Sequence, residues 1–142
     1  MKTILIADDH KNIREYCGSA FVEEGFRVLL ASDGIESLEI FMTETPDLVV
    51  LDVSMPRASG LEALEWIKRL SPQTPVVLFT AHDEDCMLDD RTLLATACVA
   101  KGKDLSELKR IVAHLLQGRV SENEGESLPT EHRPFPAKME CP

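Results

Sequence analysis

Five short apolar runs punctuate the first hundred residues: Ile4-Leu5-Ile6-Ala7, Val28-Leu29-Leu30-Ala31, Leu48-Val49-Val50-Leu51, Val76-Val77-Leu78-Phe79 and Ala97-Cys98-Val99-Ala100. Each has the length of a β-strand, and each is continuous instead of alternating. A continuous run offers no polar face to water, so a strand made from it must be covered on both sides, as in a parallel sheet. Between the runs the pattern switches to the period of an amphipathic helix. Ile13, Tyr16, Cys17, Ala20 and Phe21 fall on one stripe, ended by Gly25. Ile35, Leu38, Phe41 and Met42 form a second, stopped by Pro46, and Leu61, Leu64, Ile67 and Leu70 a third, stopped by Pro72. The last stripe, Leu105, Leu108, Ile111, Val112, Leu115 and Leu116, has Asp104 placed to cap it and Gly118 placed to end it. The segment from Asp83 to Ala95 is crowded with acidic residues and reads as a helix on the strength of Met87, Leu88, Leu93 and Leu94 alone.

Strand and helix alternating five times give a β-α-β series, and right-handed crossovers turn such a series into an open parallel sheet with helices on both faces. The expected fold is α/β: a flavodoxin-like, doubly wound, five-stranded sheet of order 2-1-3-4-5. It occupies residues 1–118. From Arg119 the apolar period is lost and four of the eight prolines fall within the last 14 residues, so 119–142 reads as a polar, flexible tail. The 142 residues suit one domain with one core.

The net charge of −10 sets fifteen basic residues against twenty-five acidic ones, which repels phosphate backbones and anionic lipid and argues against nucleic acid as a direct partner. No apolar run approaches the roughly 18 residues a membrane helix needs, and Met1-Lys2 leads into a strand-like run instead of a signal peptide, so no membrane association and a cytoplasmic location are expected. Cys17, Cys86, Cys98 and Cys141 form no CxxC pair and read as reduced thiols, Cys17 and Cys98 in the core and the other two exposed.

Open α/β sheets bind ligands beyond the carboxyl ends of their strands. Asp8 and Asp9 follow the first run, Asp52 the third, Thr80 the fourth and Lys101 the fifth, so all five are expected at one edge. Three carboxylates meeting there repel one another unless a cation neutralises them, and hard oxygen ligands favour an ion of magnesium size. Asp9 and Asp52 suit direct ligation, Asp8 ligation through water, and the backbone carbonyl of Ser54 a further oxygen. Taken singly, each residue has a plainer role: Asp8 or Asp9 as a helix N-cap, Asp52 at a turn before Pro56, Thr80 as a strand former, Lys101 as a hydrated charge. Trp66 fits the edge of the third stripe as a packing residue.

The ordered set Asp8-Asp9, Asp52 within Leu51-Asp-Val-Ser-Met-Pro56, Gly60, Thr80-Ala81 and Lys101 resembles the receiver domain of two-component response regulators over about residues 1–118. The resemblance implies that Asp52 accepts a phosphoryl group from a sensor histidine kinase, a phosphotransfer protein or a small phosphodonor. It implies Mg2+, with Mn2+ as the alternative, held by Asp8, Asp9, Asp52 and the Ser54 carbonyl, while Lys101 and Thr80 stabilise the phosphoryl oxygens. The added charge then biases a surface read by a downstream protein or passes onward in a relay. His82, two places after Thr80, reads as a hydrated loop histidine or as a group overlooking the phosphate. Three residues depart from the family pattern. Cys98 stands where receivers commonly carry a switching aromatic, Thr96-Ala97 replaces Gly-Ala, and Gly102 replaces the proline after the lysine, where a cis bond would now cost about 2.5–4 kcal/mol. Two other functions compete: an interaction module whose phosphorylation is vestigial, and a Mg2+-dependent phosphohydrolase with Asp52 as nucleophile. The second lacks a further aspartate at Ser54.

Overall fold

The computed structural model describes residues 1–81, 89–102 and 104–117. Five parallel strands, β1 (Thr3–Ala7), β2 (Arg27–Ala31), β3 (Leu48–Leu51), β4 (Val76–Thr80) and β5 (Ala97–Ala100), form one sheet of order β2-β1-β3-β4-β5. Four helices intervene: α1 (Lys11–Glu23), α2 (Gly34–Glu44), α3 (Gly60–Leu70) and α4 (Ser106–Gln117). The expected architecture is therefore present. His82, Cys86, the 83–88 part of the expected fourth helix, Gly118, the 119–142 tail and Cys141 lie outside the described residues.

The sheet divides two cores by the period of two along each strand. Ile4, Ile6, Leu48, Val50, Val77 and Phe79 face α1 and α4, meeting Cys17, Phe21, Leu108, Ile111 and Val112. Leu5, Ala7, Val49, Leu51, Val76 and Leu78 face α2 and α3, meeting Phe41, Leu61, Leu64 and Ile67. β1, β3 and β4 are buried throughout. At the edge strands the cover on both faces is thinner: Val28 of β2 and Ala97 and Val99 of β5 join the first core, Leu29, Ala31 and Cys98 the second, but only Ala31 of β2 is fully buried and β5 alternates buried with half-buried positions.

Stripe width was also over-read. Tyr16 is 55% exposed, and Met42 and Leu70 are likewise at the surface, because each helix buries only the narrow face that meets the sheet. Trp66 is 51% exposed, with the Arg69 guanidinium 5.3 Å from its ring centroid instead of core around it. Of the helix expected up to Ala95, the described part is a 3-10 helix at Asp90–Leu94, started by Asp89, whose carboxylate accepts from the Arg91 backbone and side chain. Asp104 does hold the first turn of α4, accepting from Ser106 N at 3.0 Å. Cys17 is a free, buried thiol, but Cys98 is disulfide-bonded, which corrects the reduced-thiol reading there.

Candidate functional site

Strand order reverses between β1 and β3: the chain leaves β1 toward β2 on one side, and β3 pairs on the other. Ala7 is in register with both Ala31 and Leu51, so the residues that follow β1 and β3 emerge side by side at the carboxyl edge. Asp52 N donates to Ala7 O at 2.9 Å and Asp8 N to Ala31 O at 3.1 Å, which extends the ladder one residue beyond the strands and fixes both backbones. Thr80 is buried and pairs in register with Ala100, and Lys101 N donates to Thr80 O at 2.7 Å. Four strands thus deliver Asp8, Asp9, Asp52, Thr80 and Lys101 to one edge.

The side chains of Asp8, Asp52 and Lys101 converge. Asp8 is 3% and Asp52 7% exposed at the side chain, and the Lys101 ammonium lies 2.7 Å from Asp8 Oδ2 and 3.4 Å from Asp52 Oδ2. The lysine's stem runs past the Phe79 ring, its Nζ 5.7 Å from the centroid. Burial pushes the Asp52 carboxyl up to about 6; Lys101 opposes the shift and the charge of Asp8 adds to it. Burial works against the Lys101 ammonium too, but its hydrogen bond to Asp8 and the two carboxylate charges hold it above the usual lysine range. Asp9 is more open than either, and one carboxylate oxygen each from Asp8, Asp9 and Asp52 lies within 4.8 Å of the others.

The loops around these groups are held tightly. A Cβ on Gly60 would stand 1.9 Å from Asp52 O, so only glycine lets the start of α3 approach the chain after β3 this closely, where Gly60 N donates to Val53 O at 2.9 Å. Ser59 and Glu62 close a capping box at that helix start. Arg57 has φ of 70°, a left-handed conformation rare for a residue with a side chain, and it forks onto Asp33 with contacts of 3.0 and 3.1 Å. Ser54 N lies 3.4 Å from Asp52 Oδ1. The N-cap role for Asp8 or Asp9 does not occur: His10 holds that position of α1 without a side-chain capping bond, and Asp8 Oδ1 instead accepts from His10 N at 2.9 Å. Arg14 reaches back to Asp8 O at 2.8 Å. Reading the chain alone missed His10, Arg14, and the Asp33–Arg57 pair; a histidine directly after two aspartates was the signal available for the first.

The model of the response regulator receiver domain matches residues 4–113. The chain belongs to the response regulator receiver family. This receiver is 34% identical over 114 residues to sporulation initiation phosphotransferase F of Bacillus subtilis, covering 80% of its own length and 92% of that relative. It is 36% identical over 115 residues to regulatory protein AtoC of Escherichia coli, but it spans only 25% of that longer protein. Among solved structures, response regulator protein TrrA of Thermotoga maritima in complex with Mg2+-BeF superposes with a TM-score of 0.77 at 36% identity, covering 81% of this chain and 99% of TrrA. TrrA in complex with histidine kinase ThkA superposes with 0.75 at 37% identity, covering 82% and 99%. The receiver is a signalling domain of this family, and its acidic pocket suits phosphorylation.

Proposed function

We propose that Asp52 is the phosphoacceptor of a Mg2+-dependent receiver unit spanning residues 1–118, with a sensor histidine kinase or a phosphotransfer protein as donor in a cytoplasmic setting. The observation that carries this reading is the buried Asp52 carboxylate facing Asp8 across the Lys101 ammonium. Its donor set fits a hard dication: three carboxylates lie within reach of one another, and one lysine is too little charge to balance them. Asp8, Asp9, Asp52 and the Ser54 carbonyl are the residues that would hold Mg2+ or Mn2+. Such an ion, when bound, supplies charge neutralisation at the phosphoryl oxygens.

The chain's own groups do the rest. With its carboxyl at about 6, Asp52 is mostly ionised at neutral pH, and its oxygen attacks the phosphorus of a phosphohistidine. An O–P bond forms as the P–N bond breaks, and the departing imidazole takes its proton from water. Lys101 offsets the charge on the equatorial oxygens from the Asp52 side of the pocket, and the Thr80 hydroxyl donates to one of them. The product adds about 1.5 to 2 negative charges against Lys101 and Thr80, enough to bias a surface that a downstream protein reads or to feed a relay.

Intact-mass analysis after incubation with Mg2+ and acetyl phosphate tests this. The expected result is one acid-labile phosphoryl group on the wild type and none on Asp52→Asn. Equal labelling of the variant would move the acceptor elsewhere, and no labelling of either chain would favour an interaction module with vestigial chemistry.

A further inference from the structure

The pocket contains one donor that the carboxylates do not account for. His10 Nδ1 lies 3.2 Å from Asp9 Oδ1 and 3.3 Å from Asp8 Oδ1, and one ligand atom from each of Asp8, Asp9, His10 and Asp52 falls within 4.8 Å of the other three. The ring does not cap α1. As a hydrogen-bond donor it is poorly used, because it is almost equidistant from two acceptors and beyond the ordinary N–H···O length of about 2.9–3.0 Å. As a coordination edge the spacing fits. Donors about 2.0–2.1 Å from a shared ion stand roughly 3.0 Å apart around an octahedron and roughly 3.3 Å apart around a tetrahedron.

The neighbouring contacts aim the ring at the cluster. Asp8 divides its oxygens: Oδ2 faces Lys101, while Oδ1 takes the His10 backbone N–H and faces the imidazole. Arg14 pins the Asp8 carbonyl from the first turns of α1, so the start of the loop is tied on two sides. The ring itself is 66% exposed and open to an ion from solvent. Imidazole nitrogen suits zinc, nickel and cobalt, whereas Mg2+ prefers oxygen and retains water.

We propose that His10 is a fourth metal ligand, which lets Zn2+ or a similar nitrogen-seeking dication compete with Mg2+ for the carboxylates around Asp52. This rests on the cation site proposed above. An ion held four-coordinate by Asp8, Asp9, Asp52 and His10 has no position left for a phosphoryl oxygen. Zn2+ would then oppose phosphorylation where Mg2+ supports it.

The test is calorimetric titration of the whole chain with Zn2+ and, separately, Mg2+, on the wild type, His10→Gln and Asp9→Asn, together with 15N NMR of the imidazole nitrogens. The His10→Gln chain should lose about tenfold or more in Zn2+ affinity and stay within about twofold for Mg2+. The other three histidines are common to all the chains, so they cancel. The His10 Nδ1 resonance should move with Zn2+ and not with Mg2+. Unchanged Zn2+ affinity, an equal loss for both ions, or a stationary Nδ1 resonance overturns the ligand role. If Asp9→Asn weakens Mg2+ while His10→Gln changes nothing, only this inference falls. If Asp9→Asn leaves both ions bound as before, the cation site falls with it.

Discussion

Neutralising Asp52 should make the metal-free receiver more stable, and by an amount that depends on pH. The Asp52 carboxyl is raised from 3.8 to about 6, with burial the largest cause. Below pH 3.8 it is protonated in both folded and unfolded chains and contributes no difference. Between there and about 6 the unfolded chain ionises first, so folding stability falls as pH rises; above about 6 the full penalty applies. A rise of roughly two units corresponds to about 3 kcal/mol at most. Lys101 keeps its shorter contact to Asp8 in either case, and relaxation around the buried carboxylate reduces the figure, so about 1–3 kcal/mol is expected. The assay is urea unfolding of wild type and Asp52→Asn in chelator, followed by circular dichroism from pH 4 to 8. The two stabilities should nearly coincide near pH 4 and diverge to a plateau by pH 7.5, the variant being higher. Saturating Mg2+ should shrink the gap, since an ion bound to the wild type cancels the repulsion the variant lacks. A constant gap across pH, or a destabilised variant at pH 8, would refute the electrostatic account.

Three further outcomes follow from the same geometry. Gly60→Ala places a methyl 1.9 Å from Asp52 O, so chemical unfolding should show a loss above about 3 kcal/mol; a loss under about 1 kcal/mol would mean the loop yields freely. Lys101→Ala should abolish the NMR response to beryllofluoride while Mg2+ affinity stays within about threefold, and equal large losses of both would contradict the division of labour between ammonium and carboxylates. Burial, with the charge of Asp8 adding to it, pushes the Cys17 thiol up to about 11, so at pH 8 only about a thousandth is thiolate and iodoacetamide should label Cys17 in denaturant alone; native-state labelling at the rate of a free peptide thiol would contradict the burial.

The sheet was legible because a doubly covered strand has a distinctive signature, and β1, β3 and β4 carry it without interruption. β2 and β5 carry the same signature and contribute to both cores, but as the edges of the expected order they are less deeply buried, which their local composition does not register. Leu70 and Met42 sit at helical spacing yet face water, because period alone does not fix how wide a face the sheet covers. The site was legible for a different reason: a rule about strand ends turns five scattered residues into one edge, and Asp8, Asp52 and Lys101 meet there. Contacts between loops followed no such rule. Asp33 and Arg57 are 24 residues apart, and nothing in their local sequence announces a forked ion pair.

Lys101 is the hinge of this electrostatic arrangement, because one ammonium serves two carboxylates unequally, at 2.7 Å from Asp8 and 3.4 Å from Asp52. Three carboxylates against that single cation leave two net negative charges in the pocket, which a dication would cancel. A phosphoryl group on Asp52 would then shift the balance again, making the Asp52 side the stronger attraction for Lys101. The lysine's stem can turn toward Asp52 about its own bonds, while its backbone stays tied, the N–H bonded to Thr80 O and Thr80 paired with Ala100. Only the part of such a pull that the side-chain torsions do not take up falls on the joined ends of β4 and β5. That backbone link between the ends of β4 and β5 involves no aromatic side chain, and it is present with Cys98 at that position.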